Sequence, residues 1–232
     1  IFKVKPLHCG NPRYTDTVML KGIHSDFIGL DTRYPLADGR VTRRHYLDSA
    51  ASTLALRSAR HVADELLRHY ANTHSQAHFS ARIAHHAYAW AHEQALHFVQ
   101  ADSERYAAFF AGSGCTAPLN RLARTLAAQR PERDIVLVSL MEHHANDLPH
   151  RKHARSVISI PLAGVAPRLG AVDLAALERV LEQHRGRINY VAISAASNVT
   201  GIRNPVHEIA ALAHSFNAWI VVDASPHLAH AP

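Results

Sequence analysis

Residues 135–150, IVLVSLMEHHANDLPH, run from an apolar β-branched stretch straight into Glu142, His143, His144 and Asn146. A strand that ends in an acid, two imidazoles and an amide presents groups able to hold a proton, stack on a ring or orient a ligand. Three other apolar stretches end in the same abrupt way. YAAFFA (106–111) runs into GSGCTAPLN, INYVAIS (188–194) into AASNVTG, and AWIVV (218–222) into Asp223.

Each ending has a plain structural reading when taken alone. Gly112 and Gly114 allow a tight strand-to-helix turn, and the free N–H groups of a helix starting near Thr116 would face an anion, with Ser113 and Thr116 adding hydroxyls. No Lys follows, so this is not a Walker loop, and the full G-x-G-x-x-G of a dinucleotide fold is missing. Asp223, after an apolar strand, needs a cation or strong donors: a structural Arg or Lys, or a cationic ligand. His143 could be a ligand, a base, a flat stacking surface or a satisfied core histidine. His74 and His78 lie four apart in a stretch that reads as a loop, and no H-E-x-x-H supports a metal-dependent hydrolase.

Taken together, an anion cradle, an imidazole, an amide and a buried acid on successive strand ends are the parts that hold pyridoxal phosphate. The phosphate would sit at the helix N-terminus and the ring against His143. The pyridine nitrogen would meet Asp223, whose carboxylate keeps it protonated and so electron-withdrawing.

The elements that must position these groups follow from periodicity. LALRSARHVADELLRHY predicts a helix with Leu56, Ala59, Ala63, Leu66, Leu67 and Tyr70 on one face, and a second is predicted over 81–100 with Ile83, Ala87, Trp90, Ala91, Ala95 and Phe98 inward. Strands are then expected at 106–111, 135–139, 156–161, 188–194 and 218–222. Helices are expected around Leu119–Leu126 and Leu174–Leu181, and over 204–216 with Asn204 as N-cap and Pro205 in the first turn. Apolar strands between amphipathic helices predict a three-layer α/β/α sandwich with a mostly parallel sheet, whose ligands gather at the strands' carboxyl ends. Residues 1–44, rich in Pro and Gly, read as an irregular N-terminal arm, and 45–232 as one large domain.

Composition excludes little but directs the rest. The chain is 47% hydrophobic and 19% charged, as in an ordinary globular protein. Its net charge of +6 is scattered arginine, with lysine only at positions 3, 5, 21 and 152, so no nucleic-acid partner is expected. No apolar run reaches membrane-spanning length. Cys9 and Cys115 stand far apart, so a disulfide framework is not expected and a cytoplasmic location is. The lack of an initial Met suggests a processed chain or a fragment.

YLDSAAS (46–52), NTHSQAH (72–78), GSGCTAPLN (112–120), MEHHAND (141–147), SNVTG (197–201) and VVDAS (221–225) resemble, in order and spacing, the class V aminotransferases, fold-type I pyridoxal-phosphate enzymes that include the cysteine desulfurases. The resemblance implies roles by position. Gly114, Cys115 and Thr116 fall at the phosphate, and His143 on the cofactor ring. Asn198 falls near the ring hydroxyl and substrate carboxylate, Asp223 at the pyridine nitrogen, and Asn72, His74 and His78 on a substrate-side loop. It implies a homodimer that forms an external aldimine with a small amino acid and stabilises a carbanion at its α-carbon.

Two positions depart from the pattern. Pro226 stands where many desulfurases carry a Gln, and none of the four lysines follows Asp223, where the family's Schiff-base lysine lies. The expectation is therefore an incomplete chain of a working enzyme. Its alternative is a degenerate, non-catalytic module that binds the cofactor or a partner.

Overall fold

The computed structural model describes residues 23–112 and 114–230. Cys9, the first half of the expected arm and the hydroxyl of Ser113 lie outside the described residues. The described residues divide into two compact units, the first ending at His86 and the second starting at Ala87.

In the first unit a short antiparallel hairpin pairs β1 (Arg33–Pro35) with β2 (Val41–Arg43), closed by a turn in which Gly39 takes a positive φ of 81°. Regular structure thus intrudes on the expected irregular arm. Helix α1 (Arg57–Leu67) forms where periodicity predicts it, its first turn held by Asp26, which accepts from the backbone and hydroxyl of Ser58. None of its residues is buried, and Leu66, Leu67 and Tyr70 of the expected apolar face are exposed, so the described residues do not cover that face. Helix α2 (Phe79–Phe98) begins in this unit and buries Ala81 and Ala84. The predicted inward residues Trp90 and Phe98 are exposed instead.

The second unit holds a four-stranded, fully parallel sheet in the order β4 (Ser156–Ile160), β3 (Ile135–Ser139), β5 (Ile188–Ser194), β6 (Trp219–Asp223). β3 and β5 are buried at every position, as β-branched runs covered on both faces require. Helices α5 (Leu174–Gln183) and α6 (Val206–Ser215) cover one face, where Leu137, Ile160, Leu177, Leu181, Ile193 and Ile209 form the larger core. The smaller core on the other face joins Leu119 of α3 (Thr116–Gln129) to Val136, Val138, Tyr190 and Ala192, and α4 (Leu148–His153) packs against α3. The result is the expected three-layer sandwich. Each fully buried Leu or Ile contributes about 1.5–3 kcal/mol over an exposed one.

A bulge adjusts the alternation. Ile135 pairs with Ile188 but Val136 pairs with Tyr190, so Asn189 is the extra residue. This lets Ile188 and Val191 both face the larger core.

Two local expectations fail. YAAFFA pairs with no strand among the described residues, and Tyr106, Phe109 and Phe110 are exposed. An apolar run is only a strand when a neighbour supplies its ladder. Asn204 does not cap α6, because Pro205 occupies the cap position. The Asn204 side chain is buried instead, accepting from the Val172 N–H (2.9 Å) and donating to the Ser194 carbonyl (2.7 Å). It ties the end of β5 to the segment before α5.

Candidate functional site at the carboxyl ends of the sheet

The chain passes from β3 out to β4, then crosses back to β5 on the opposite side of β3. In open α/β sheets the crevice at such a reversal, beyond the strands' carboxyl ends, is where ligands bind. The segments after β3, β5 and β6, and the start of α3, supply the groups there.

Asp223 closes β6 and is 4% exposed. Its Oδ1 accepts from the Ser225 N–H (3.0 Å) and hydroxyl (2.6 Å), and from the Cys115 thiol at 3.6 Å. No Arg, Lys or His pairs with it among the described residues, and Oδ2 accepts no hydrogen bond from them. Burial pushes the Cys115 thiol up, opposed by the Ser225 hydroxyl and reinforced by the Asp223 charge. Cys115 is thus a neutral donor that joins the start of α3 to the end of β6.

Helix α3 starts at Thr116 with no side chain among the described residues capping its N-terminus and no acidic residue in its first turn. Gly112 and Gly114 have φ of 94° and 66°, values that a side chain would strain. A Cβ on Gly112 would also come within 3.3 Å of the Ala117 methyl. An uncapped N-terminus behind a positive-φ turn leaves N–H donors and the positive end of a 14-residue helix dipole for an anion.

His143 follows β3, exposed, just before a short 3-10 turn at His144–Asn146. Its Nδ1 accepts from the Ala145 N–H at 3.0 Å, which places the ring proton on Nε2 and fixes the ring's entry angle. Asn198 lies in the turn after β5, with its amide exposed and unbonded among the described residues. Ser197 holds that turn, its hydroxyl accepting from the Val199 and Thr200 N–H groups. Asn72, His74 and His78 belong to the first unit and serve it locally. Asn72 Oδ1 accepts from the His74 N–H (2.8 Å), and His78 Nδ1 accepts from the Ala81 N–H in the first turn of α2 (3.3 Å).

Sequence reasoning singled out His143 but gave Glu142, Asn146 and His150 no role. Glu142 accepts from the Ser139 hydroxyl, the Asn146 amide (2.6 Å), and the N–H and hydroxyl of Ser194 (2.7 and 2.6 Å). Burial pushes its carboxyl up, and the four donors oppose that shift. His150, fully buried, contacts Asn146 Oδ1 through Nε2 (3.0 Å) and the Tyr190 hydroxyl through Nδ1 (2.8 Å). Burial lowers His150 to about 4, so it is neutral at pH 7. The signal for this network was Tyr190: a hydroxyl inside an apolar strand needs a buried partner.

Residues 45–232 match the family model for aminotransferase class V. The chain belongs to that family. Members are pyridoxal-phosphate-dependent enzymes, and the fold is that of their large domain. The chain is 29% identical over 202 residues to a probable cysteine desulfurase of Halalkalibacterium halodurans, covering 84% of this chain and 48% of that protein. It is 31% identical over 194 residues to one from Vibrio cholerae, covering 80% of this chain and 45% of the relative. A cysteine desulfurase structure from Thermococcus onnurineus superposes with a TM-score of 0.64 at 26% identity, over 77% of this chain and 43% of the other. One from Escherichia coli gives 0.60 at 26%, over 76% and 44%. The chain therefore spans about half the length of the relatives it matches.

Proposed function

We propose that the protein is an enzyme of the cysteine-desulfurase-like branch of its family, acting on a small amino acid with pyridoxal phosphate held at the ends of β3, β5 and β6. The observation that carries this reading is Asp223. A buried carboxylate without a cationic partner among the described residues, its donors all on one oxygen, is costly unless a charged donor arrives from outside the chain. A protonated pyridine nitrogen is such a donor, and the uncapped start of α3 suits the phosphate of the same molecule.

In this reading the backbone N–H groups from Gly114 to Thr116 bind the phosphate. The Cys115 side chain serves Asp223, so the contact at position 115 falls to its backbone. His143 covers one face of the ring, its Nε2–H tautomer fixed by Ala145. Asp223 holds the proton on the ring nitrogen, and the Cys115 and Ser225 donors keep that carboxylate in place. Asn198 orients the ring hydroxyl and the substrate carboxylate. By the family resemblance, Asn72, His74 and His78 fall on a loop that serves the substrate. Pyridoxal phosphate, when bound, supplies the electron sink that stabilises negative charge at the substrate's α-carbon. We further propose that residues 45–232 form the cofactor-binding domain beside an N-terminal arm, and that the protein works as a cytoplasmic homodimer without nucleic-acid or membrane partners. No helix among the described residues is long and apolar enough to cross a membrane.

The test is the intact mass of the natural gene product, purified with pyridoxal phosphate and reduced with borohydride. The proposal expects one pyridoxyl addition per chain on a lysine. A protein that takes up no cofactor overturns it.

A further inference from the structure

The cofactor reading leaves unused the most heavily hydrogen-bonded acid in the second unit. Glu142 lies between β3 and β5 at the point where the strand order reverses, and its carboxylate grips both. Ser139, at the end of β3, and Ser194, at the end of β5, donate to it, and Asn146 donates from the far side of the His143 turn. The residue that follows β5, Ala195, donates its N–H to the Asp223 carbonyl at 2.8 Å. One carboxylate therefore fixes the turn that carries His143 relative to the strand ends that carry Asn198 and Asp223. We propose that Glu142 is the positioning residue of the cofactor cradle, holding His143 and the end of β5 in one frame, with its orientation set by a buried relay through Asn146, His150 and Tyr190. The positioning role rests on the cofactor reading above; the relay does not.

The direction of the relay follows from donor and acceptor counting. A carboxylate only accepts, so the Asn146 amide must turn its NH2 toward Glu142 and its Oδ1 toward His150. That oxygen requires a donor, so neutral His150 carries its proton on Nε2. Nδ1 is then an acceptor, and the Tyr190 hydroxyl must donate to it. Every bond points toward Glu142, and each buried group has its complement.

This makes two substitutions diverge. Glu142→Gln removes the charge but keeps the reach. The new amide must donate, so Asn146 flips, His150 Nε2 becomes an acceptor, and the proton moves to Nδ1 and donates to Tyr190. The frame survives with its direction reversed. Glu142→Asp keeps the charge but is one methylene shorter, and cannot span Ser139, Asn146 and Ser194 together. A role based on charge alone predicts the opposite ranking.

The experiment measures pyridoxal phosphate affinity by titration and the tautomer of His150 by nitrogen-15 NMR, in the natural protein and both variants, with thermal unfolding as the control for folding. The proposal expects His150 as the Nε2–H tautomer in the natural protein and as Nδ1–H in Glu142→Gln. It also expects Glu142→Asp to weaken cofactor binding at least fivefold more than Glu142→Gln. An unswitched tautomer overturns the relay. An Asp variant that binds as well as the Gln variant overturns the positioning role. Should Glu142→Asp not fold, Ser194→Ala takes its place: it releases one oxygen from the end of β5 and should weaken binding threefold or more, and unchanged affinity overturns the role. A natural protein that binds no pyridoxal phosphate overturns the cofactor reading and the positioning role with it, while the tautomer alone decides the relay.

Discussion

Acid should unfold this protein partly through one histidine. His150 is fully buried, and burial holds its pKa at about 4 against 6.5 for an ordinary imidazole. As pH falls through 6.5 the unfolded chain takes up the proton and the native state does not, so the native state loses stability until His150 itself protonates near 4. The gap of 6.5 minus about 4, or roughly 2.5 units, corresponds to about 3 kcal/mol, at 1.36 kcal/mol per unit. That stability is fully present above pH 7 and gone below about 4. Glu142 acts in the opposite sense, since a raised carboxyl takes its proton first in the native state, but it is common to wild type and variant. The comparison is His150→Gln, which does not titrate and keeps a donor for Asn146. Urea unfolding followed by circular dichroism from pH 7.5 to 4 should show wild type losing about 3 kcal/mol more than His150→Gln. Parallel curves, within ~0.5 kcal/mol across that range, would refute the assignment of His150 as a buried neutral base.

Tyr190→Phe should leave His150 Nδ1 without its donor and cost about 1–3 kcal/mol in urea unfolding at pH 7, although it only removes an oxygen. Gly112→Ala should cost about 1–2 kcal/mol from its positive φ, and more if the Ala117 methyl cannot give way, and should weaken pyridoxal phosphate binding more than it weakens folding. Leu177→Ala, at a fully buried position of the larger core, should cost about 2–5 kcal/mol without altering cofactor affinity per folded molecule. His143→Ala should change the absorbance spectrum of bound cofactor, and an unchanged spectrum and affinity would sink the stacking role.

The central strands were the most legible part of the sequence. IVLVS and INYVAIS are apolar at almost every position because both faces are covered, and they occur where periodicity puts them. Short apolar runs elsewhere were ambiguous, since YAAFFA reads as a strand yet has no ladder partner among the described residues. Helix α1 shows the converse limit: its spacing fixes the helix, while the burial of Leu66 and Leu67 depends on what lies against it. Asn204 reads as a cap because Asn before Pro commonly is one. Its use in tying Val172 to Ser194 depends on a contact across 32 positions of sequence that no local pattern reveals. In the site, Asp223 was legible because a carboxylate after an apolar strand demands an explanation. Glu142 was not, because its four donors come from three segments that only folding brings together.

The central claim is that Asp223 is a carboxylate waiting for a cationic ring nitrogen. The most direct measurement is the affinity of pyridoxal phosphate for the natural protein and for Asp223→Asn, a substitution that keeps an acceptor for Ser225 and removes the charge. Loss of a charge-assisted bond worth about 1.5–3 kcal/mol predicts roughly a tenfold to hundredfold weaker binding. Unfolding stability without cofactor should be unchanged or higher, since an unpaired buried charge is gone. Equal affinity in the two proteins would contradict the account, and with it the reading of the strand ends as a cofactor cradle.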